Sequence, residues 1–312
     1  MPLAFTVPRF GLGAAPLGGT DFDAFSVASD ARATATVLHC LDKGVTFFDT
    51  APLYGSGLSE QRLGSALSGV TRSQIIVESK IGVVVNPNGT ITRSYSRDMV
   101  LRSVEESLKR LRMDYLDTCL IHDADSHFRG ALEEAYPALV ELKSQGIIRG
   151  IGAGMNQWEM EAEFARQVDF DCFLLAGRYS LLEQSPIHEF LPLCEQKNIS
   201  VFLGGVFNSG ILATGAVRGA RYQYAKAPAE IMKKTRRIED VCSRHQITLK
   251  SAALQFPLAH PAVKSLVVGM VTPQEIDENL VALSATIPSA FWEELFALGL
   301  IDPAVPVPKP HS

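Results

Sequence analysis

Short apolar runs alternate with amphipathic stretches along almost the whole chain, and few architectures accept that pattern. The strand-like runs are residues 10–17, 45–49, 74–80, 115–122, 147–155, 172–176, 200–206 and 263–269. Each is rich in β-branched or aromatic residues and apolar on both faces, as parallel strands covered by helices are. Between them the helical period recurs at 30–43, 59–67, 97–111, 130–145, 157–167, 186–196 and 229–245, with a second short helix at 249–258. A further helix, 273–285, follows the eighth strand. Ser59 with Glu60 and Gln61 reads as a helix N-cap, and Thr272 before Pro273 as another. Gly44, Gly69 and Gly146 sit where helices stop.

Eight strand–helix units without a linker-like gap predict one α/β domain over residues 1–312, a closed (β/α)8 barrel. At 312 residues, 46% hydrophobic and 20% charged, the composition suits a soluble globular chain with a large core. An open doubly wound sheet would need a glycine-rich phosphate turn that opens a helix. Gly11, Gly13, Gly18 and Gly19 have neither that spacing nor that position. A net charge of −5 argues against nucleic acid, and the short basic clusters Lys233-Lys234 and Arg236-Arg237 read as a solvated helix face. Cys40, Cys119, Cys172, Cys194 and Cys242 are scattered, without metal-type or disulfide-type spacing, which points to reduced thiols. No uninterrupted apolar run is long enough to span a membrane, and the first residues lack a signal-peptide pattern. These features together lead to the expectation of a cytoplasmic protein with a small-molecule substrate.

Three stretches outside the alternation, 86–96, 123–129 and 208–228, follow strand C-terminal ends, the face where barrel enzymes place their sites. Ionisable residues end several apolar strands: Phe47-Phe48 runs into Asp49, Ile75-Ile76-Val77 leads to Lys80, and Leu120-Ile121 ends in His122. Tyr54 follows Asp49 closely. A buried lone charge is costly unless paired, so four such residues converging on one barrel mouth point to a site. An ammonium beside a phenol favours the tyrosinate and lowers its pKa. On this reading Asp49 holds Lys80, and His122 orients a substrate oxygen and shares a proton with Tyr54. The set contains no metal-ligand spacing and no nucleophile elbow.

The segment Phe48-Asp49-Thr50-Ala51-Pro52-Leu53-Tyr54-Gly55 with Ser59-Glu60 resembles the aldo-keto reductase signature. The resemblance continues at Glu78-Ser79-Lys80, Leu120-Ile121-His122 and Gly150-Ile151-Gly152 leading to Asn156. It implies the same barrel, a nicotinamide cofactor across its mouth, and a catalytic set of Asp49, Tyr54, Lys80 and His122. Three further stretches, Gly152-Ala153-Gly154-Met155-Asn156-Gln157, Leu175 to Leu182 with Gly177-Arg178-Tyr179, and Gly204-Gly205-Val206-Phe207-Asn208-Ser209-Gly210, resemble the sugar-oxidising branch. That branch includes L-fucose and D-threo-aldose 1-dehydrogenases, with pyridoxal 4-dehydrogenase a close relative. The implied reaction is oxidation of a sugar lactol to a lactone; pyridoxal oxidation and general carbonyl reduction use the same residues. A cofactor-binding regulatory subunit is the reading from another class.

Under the resemblance, the cofactor meets Asp49 and Asn156, then the turn Gly205, Phe207, Asn208, Ser209, Gly210 and Leu212, whose backbone amides approach the pyrophosphate. Its adenosine end meets Gly269, Met270, Val271, Thr272 and Glu275, with Glu278 and Asn279 at the adenine. The usual strand-seven aromatic falls on Gly204 and the usual strand-six Gln on Ala176. Gly269 and Glu275 replace the cations that hold a 2′-phosphate in NADP-preferring relatives, which favours NAD while leaving NADP possible. Phe22, Phe25, Trp158, Arg178 and Phe207 are the candidate pocket side chains.

Overall fold

The computed structural model describes residues 3–19, 29–86 and 90–309; Phe22 and Phe25 lie outside them. Eight parallel strands close into a barrel: β1 (Phe10–Gly13), β2 (Phe47–Asp49), β3 (Ile76–Ile81), β4 (Leu116–His122), β5 (Ile148–Met155), β6 (Cys172–Ala176), β7 (Ser200–Gly204) and β8 (Val263–Gly269). Each pairs with its sequence neighbours, and β1 closes the ring against β8. Alternation along the strands separates two cores. Phe47, Leu120, Cys172, Leu174, Phe202 and Val267 fill the barrel, while a larger apolar layer packs between strands and helices.

Of the two caps read from the sequence, one forms. Thr272 accepts from the Glu275 amide, and Glu275 reaches back to the Thr272 amide, a reciprocal capping box on the Pro273–Ser284 helix. Ser59 does not cap. The Leu58–Ala66 helix starts from Gly57 at φ 86°, and Ser59 is buried in its first turn, where its hydroxyl donates to the Ala14 carbonyl and meets the Thr50 hydroxyl.

Other boundaries shift for identifiable reasons. The first strand stops at Gly13, because Ala15–Gly18 turns through a 3₁₀ segment whose Pro16 has no amide for a ladder. The helix expected at 130–145 begins at Phe128 and passes through one π-helical turn, Ala131–Ala135. Pro137, in the first turn of Tyr136–Ser144, cannot donate to the carbonyl four residues back, so the ladder slips there. The 86–96 stretch holds a strand, Ile91–Arg93, paired antiparallel with Val83–Val85. The 208–228 stretch holds a short helix, Ile211–Thr214, and the hairpin Arg221–Tyr222 with Ala225–Lys226. Gln223 and Tyr224 join that hairpin at φ 49° and 64°, as a primed turn requires. Among the described residues no helix is long and apolar enough to cross a membrane.

Candidate active site

Close backbone packing sets the approach to the mouth. A Cβ on Gly18 would lie 2.5 Å from the Tyr54 carbonyl carbon, so the turn after β1 lies directly on Tyr54-Gly55. Asp49 ends β2 in register with Glu78 on β3, and Lys80 stands two residues further along the same face of β3. Lys80 is 2% exposed. Its Nζ donates to the Asp49 carboxylate and to the Thr50 carbonyl at 2.8 Å, and lies 4.9 Å from the centre of the half-buried Tyr54 ring. Tyr54 and His122 meet edge to face, with ring centroids 6.0 Å apart. The four residues expected from the sequence therefore converge at one end of β2–β4.

Their ionisation differs from the sequence reading at Tyr54. Burial raises its pKa, and the neighbouring Lys80 ammonium only partly offsets that, because Asp49 neutralises much of the cation's field. The resting phenol is protonated. Burial alone would lower the Lys80 pKa, but Asp49, Tyr54 and Glu78 outweigh it and hold the ammonium charged well into the alkaline range. Burial, reinforced by Lys80 and Arg93, pushes His122 well below the usual histidine value, so its ring is neutral.

Two contributors were not singled out from the sequence. Tyr95, buried beside the 91–93 strand, directs its hydroxyl to the His122 carbonyl at 2.6 Å and the Asp123 carbonyl at 2.9 Å. It fixes the end of β4 where Asp123 turns at φ 44°. The single aromatic residue of the 86–96 stretch was the available signal. The second is the Thr50 carbonyl, which only the folded backbone brings to Lys80.

The residues expected at the cofactor line the ends of β5 to β8. Asn156 donates to the Ala176 carbonyl at 2.7 Å, bridging β5 to β6. The amides of Asn208, Gly210 and Leu212 donate within their own turn, to the carbonyls of Gly205, Phe207 and Phe207. Among the described residues the amides of Phe207 and Ser209 have no backbone acceptor. The Asn208 side chain is tied to Ser180 and Gly177, and the Ser209 hydroxyl accepts from the Tyr224 amide. Leu212 is fully buried. Gly210, at φ 98°, has nothing within 4 Å of where a Cβ would be, so the backbone there is open to a ligand. This small-residue turn fits a dinucleotide phosphate.

Beyond β8, Gly269 is exposed, whereas Met270 and Val271 are buried. Glu275 accepts from the amides of Val271 at 2.6 Å and Thr272 at 3.1 Å. Glu278 is exposed and pairs with Lys250 at 2.7 Å, while Asn279 faces inward. Trp158, Arg178 and Phe207 are half-exposed. Tyr179 instead packs into the core against Phe256 and His260.

Comparison with known proteins agrees with this geometry. Residues 9–299 match the model of the Aldo/keto reductase family. The chain is 38% identical to pyridoxal 4-dehydrogenase of Microbacterium luteolum, covering 95% of each chain. It is 34% identical to D-threo-aldose 1-dehydrogenase of a Pseudomonas species, again over 95% of each. Its fold is similar to the holo form of an aldo-keto reductase from Bacillus halodurans, with a TM-score of 0.79 at 24% identity, covering 98% of this chain and 97% of the other.

Proposed function

Since the chain belongs to the aldo/keto reductase family, and is thereby a nicotinamide-dependent oxidoreductase, we propose that it oxidises a cyclic hemiacetal to a lactone with NAD. The preferred substrate is an aldose such as L-fucose or a D-threo-aldose. Pyridoxal, named for the relative at 38% identity, is the second reading. Both are aldehydes that close on their own hydroxyl, so both present a ring carbon bearing a hydrogen and a hydroxyl.

The observation that carries this reading is the placement of Tyr54 beside a charged Lys80 and a neutral His122 at the barrel mouth. In the oxidising direction Tyr54, once deprotonated, takes the hydroxyl proton. Lys80 stabilises the tyrosinate, and Asp49 holds Lys80 in place. The neutral His122 ring can hydrogen-bond the substrate oxygen and fix which carbon is presented. When bound, the nicotinamide supplies the hydride-accepting carbon. Because the resting Tyr54 is protonated, the same residues act as a general acid for carbonyl reduction at neutral pH, and oxidation gains as pH rises.

Glu275 supports the NAD preference. Its carboxylate covers the helix N-terminus that would otherwise attract a 2′-phosphate, and Lys250 nearby is paired with Glu278. The test is a panel of aldoses, pyridoxal and simple aldehydes with NAD and with NADP, followed by reduced-nicotinamide absorbance. Turnover of an aldose with NAD supports the proposal. Turnover of pyridoxal alone selects the second reading, and turnover of simple aldehydes alone contradicts both.

A further inference from the structure

The barrel interior holds a carboxyl group with no cation of its own among the described residues. The buried aspartates on or beside the strands are paired: Asp49 with Lys80, Asp117 with Arg72 and Arg149, Asp171 with Lys143. Glu60, which accepts from the Ser79 hydroxyl of β3, has Arg110. Glu78 is fully buried on β3, on the same face as Lys80 and in register with Asp49 on one side and Thr118 on the other. Its Oε2 accepts from the Thr118 hydroxyl at 2.5 Å, and its Oε1 has no partner among the described residues. Two of the three Lys80 donors go to Asp49 and the Thr50 carbonyl, and Lys80 acts on Glu78 through its charge rather than through a hydrogen bond. A carboxylate enclosed in this way is strongly disfavoured; the neutral acid, with a proton to share with Asp49, is not.

We propose that Glu78 is a positioning residue that acts through the Asp49–Lys80 pair: as a neutral acid it hydrogen-bonds Asp49 from inside the barrel and leaves the Lys80 charge free to act on Tyr54. This rests on the four-residue mouth being the catalytic centre. Burial and then the Asp49 charge push the Glu78 carboxyl up to about 8. The groups acting on it are Asp49 from β2, Lys80 on its own strand and Thr118 from β4, with the thiols of Cys119 from β4 and Cys172 from β6 close enough to feel its charge. Burial keeps both thiols protonated, so Glu78 is the group among them that ionises in the mildly alkaline range. When it does, a second negative charge beside Lys80 raises the tyrosine pKa further. Oxidation then stops gaining with pH where it would otherwise continue.

Two measurements test this. In the wild type, the rise of kcat for oxidation with pH should break near the Glu78 ionisation. In Glu78→Gln, whose amide still donates to Asp49, the break should vanish, leaving the variant ahead by roughly tenfold, one pKa unit's worth, on the alkaline side. Its rate near pH 6–7 should stay within about threefold of wild type. An unchanged break, or a folded Gln variant crippled at neutral pH, overturns the proposal.

Infrared titration of the protein without substrate covers the case of a variant that fails to fold. Glu161, buried on the outer Trp158–Gln167 helix with no cation among the described residues and held well above the usual carboxylate range by burial, gives a second protonated-acid band, so Glu161→Gln removes it from the spectrum. A protonated-carboxyl stretch that disappears with a mildly alkaline midpoint is expected. Its absence at neutral pH overturns the proposal, whatever the substrate proves to be.

Discussion

Removing either member of the Asp49–Lys80 pair should destabilise the barrel with opposite dependence on pH. Both side chains are nearly inaccessible, at 4% and 2% exposure, and they are in direct contact. Breaking such a pair typically costs about 3–5 kcal/mol, because the survivor is left charged and buried or must change its protonation. In Asp49→Asn, Lys80 loses the chief influence that raises its pKa, and burial, then opposed by Tyr54 and Glu78 alone, pulls it down. The folded state then sheds a proton that the unfolded chain keeps up to about pH 10.4. The unfolded state binds more protons over that window, so stability rises with pH toward it. In Lys80→Met, Asp49 keeps the burial that raises its pKa and loses the cation that lowers it. The folded state now holds a proton that the unfolded chain releases near pH 3.9, so stability falls as pH rises through the interval above. Urea unfolding of wild type and both variants at several values between pH 5 and 9 reads the two slopes directly, with pH chosen by the ordinary carboxylate and ammonium limits of about 3.9 and 10.4. Parallel pH profiles, or losses below about 1 kcal/mol, would show that water reaches the pair and that the burial argument is wrong.

Tyr95→Phe should deprive the buried His122 carbonyl and the part-buried Asp123 carbonyl of their hydroxyl donor, cost about 1–3 kcal/mol in stability, and lower kcat more than it raises KM, because it loosens the end of β4 rather than the substrate pocket; unchanged kcat with a normal melting temperature refutes this. Glu275→Arg should shift the NAD/NADP ratio of kcat/KM toward NADP by at least about tenfold, a difference of ~1.4 kcal/mol. It should also lose the capping box, so its melting temperature should fall while its NADP use rises. Equal use of both cofactors by the wild type would remove Glu275 as the discriminating residue. Gly269→Lys is the poorer way to add a cation, since a Cβ there would come within 3.1 Å of Pro16.

What could be read in the sequence was whatever depends on local pattern. Apolar runs ending in Asp49, Lys80 and His122 announced both the strands and the mouth, because a charge at the end of a buried strand has few structural uses. Thr272-Pro273 announced a helix start for the same local reason. What could not be read depends on partners far along the chain or on competing magnitudes. Ser59 looks like a cap until the fold supplies Ala14 and Thr50 as better partners. Tyr95 meets His122 across 27 residues. The π turn follows from Pro137 acting inside a helix whose start had been placed two residues late. At Tyr54 the sequence shows the ammonium that lowers the phenol pKa but not the depth of burial that raises it, and burial wins. Glu78 was visible beside Lys80 as part of a motif, but only the barrel shows that Asp49 takes the cation's hydrogen bond and that Glu78 Oε1 has no partner among the described residues.

The most direct test of the account is turnover by Tyr54→Phe under conditions that saturate cofactor and substrate, with cofactor affinity measured separately by quenching of protein fluorescence. Phenylalanine keeps the ring that packs against His122 and Lys80 and removes only the hydroxyl. The expected result is a fall in kcat of about 10²–10⁴-fold, the usual worth of a general acid or base, with cofactor affinity nearly unchanged. Wild-type-like kcat would contradict it, and would place the proton transfer on another residue.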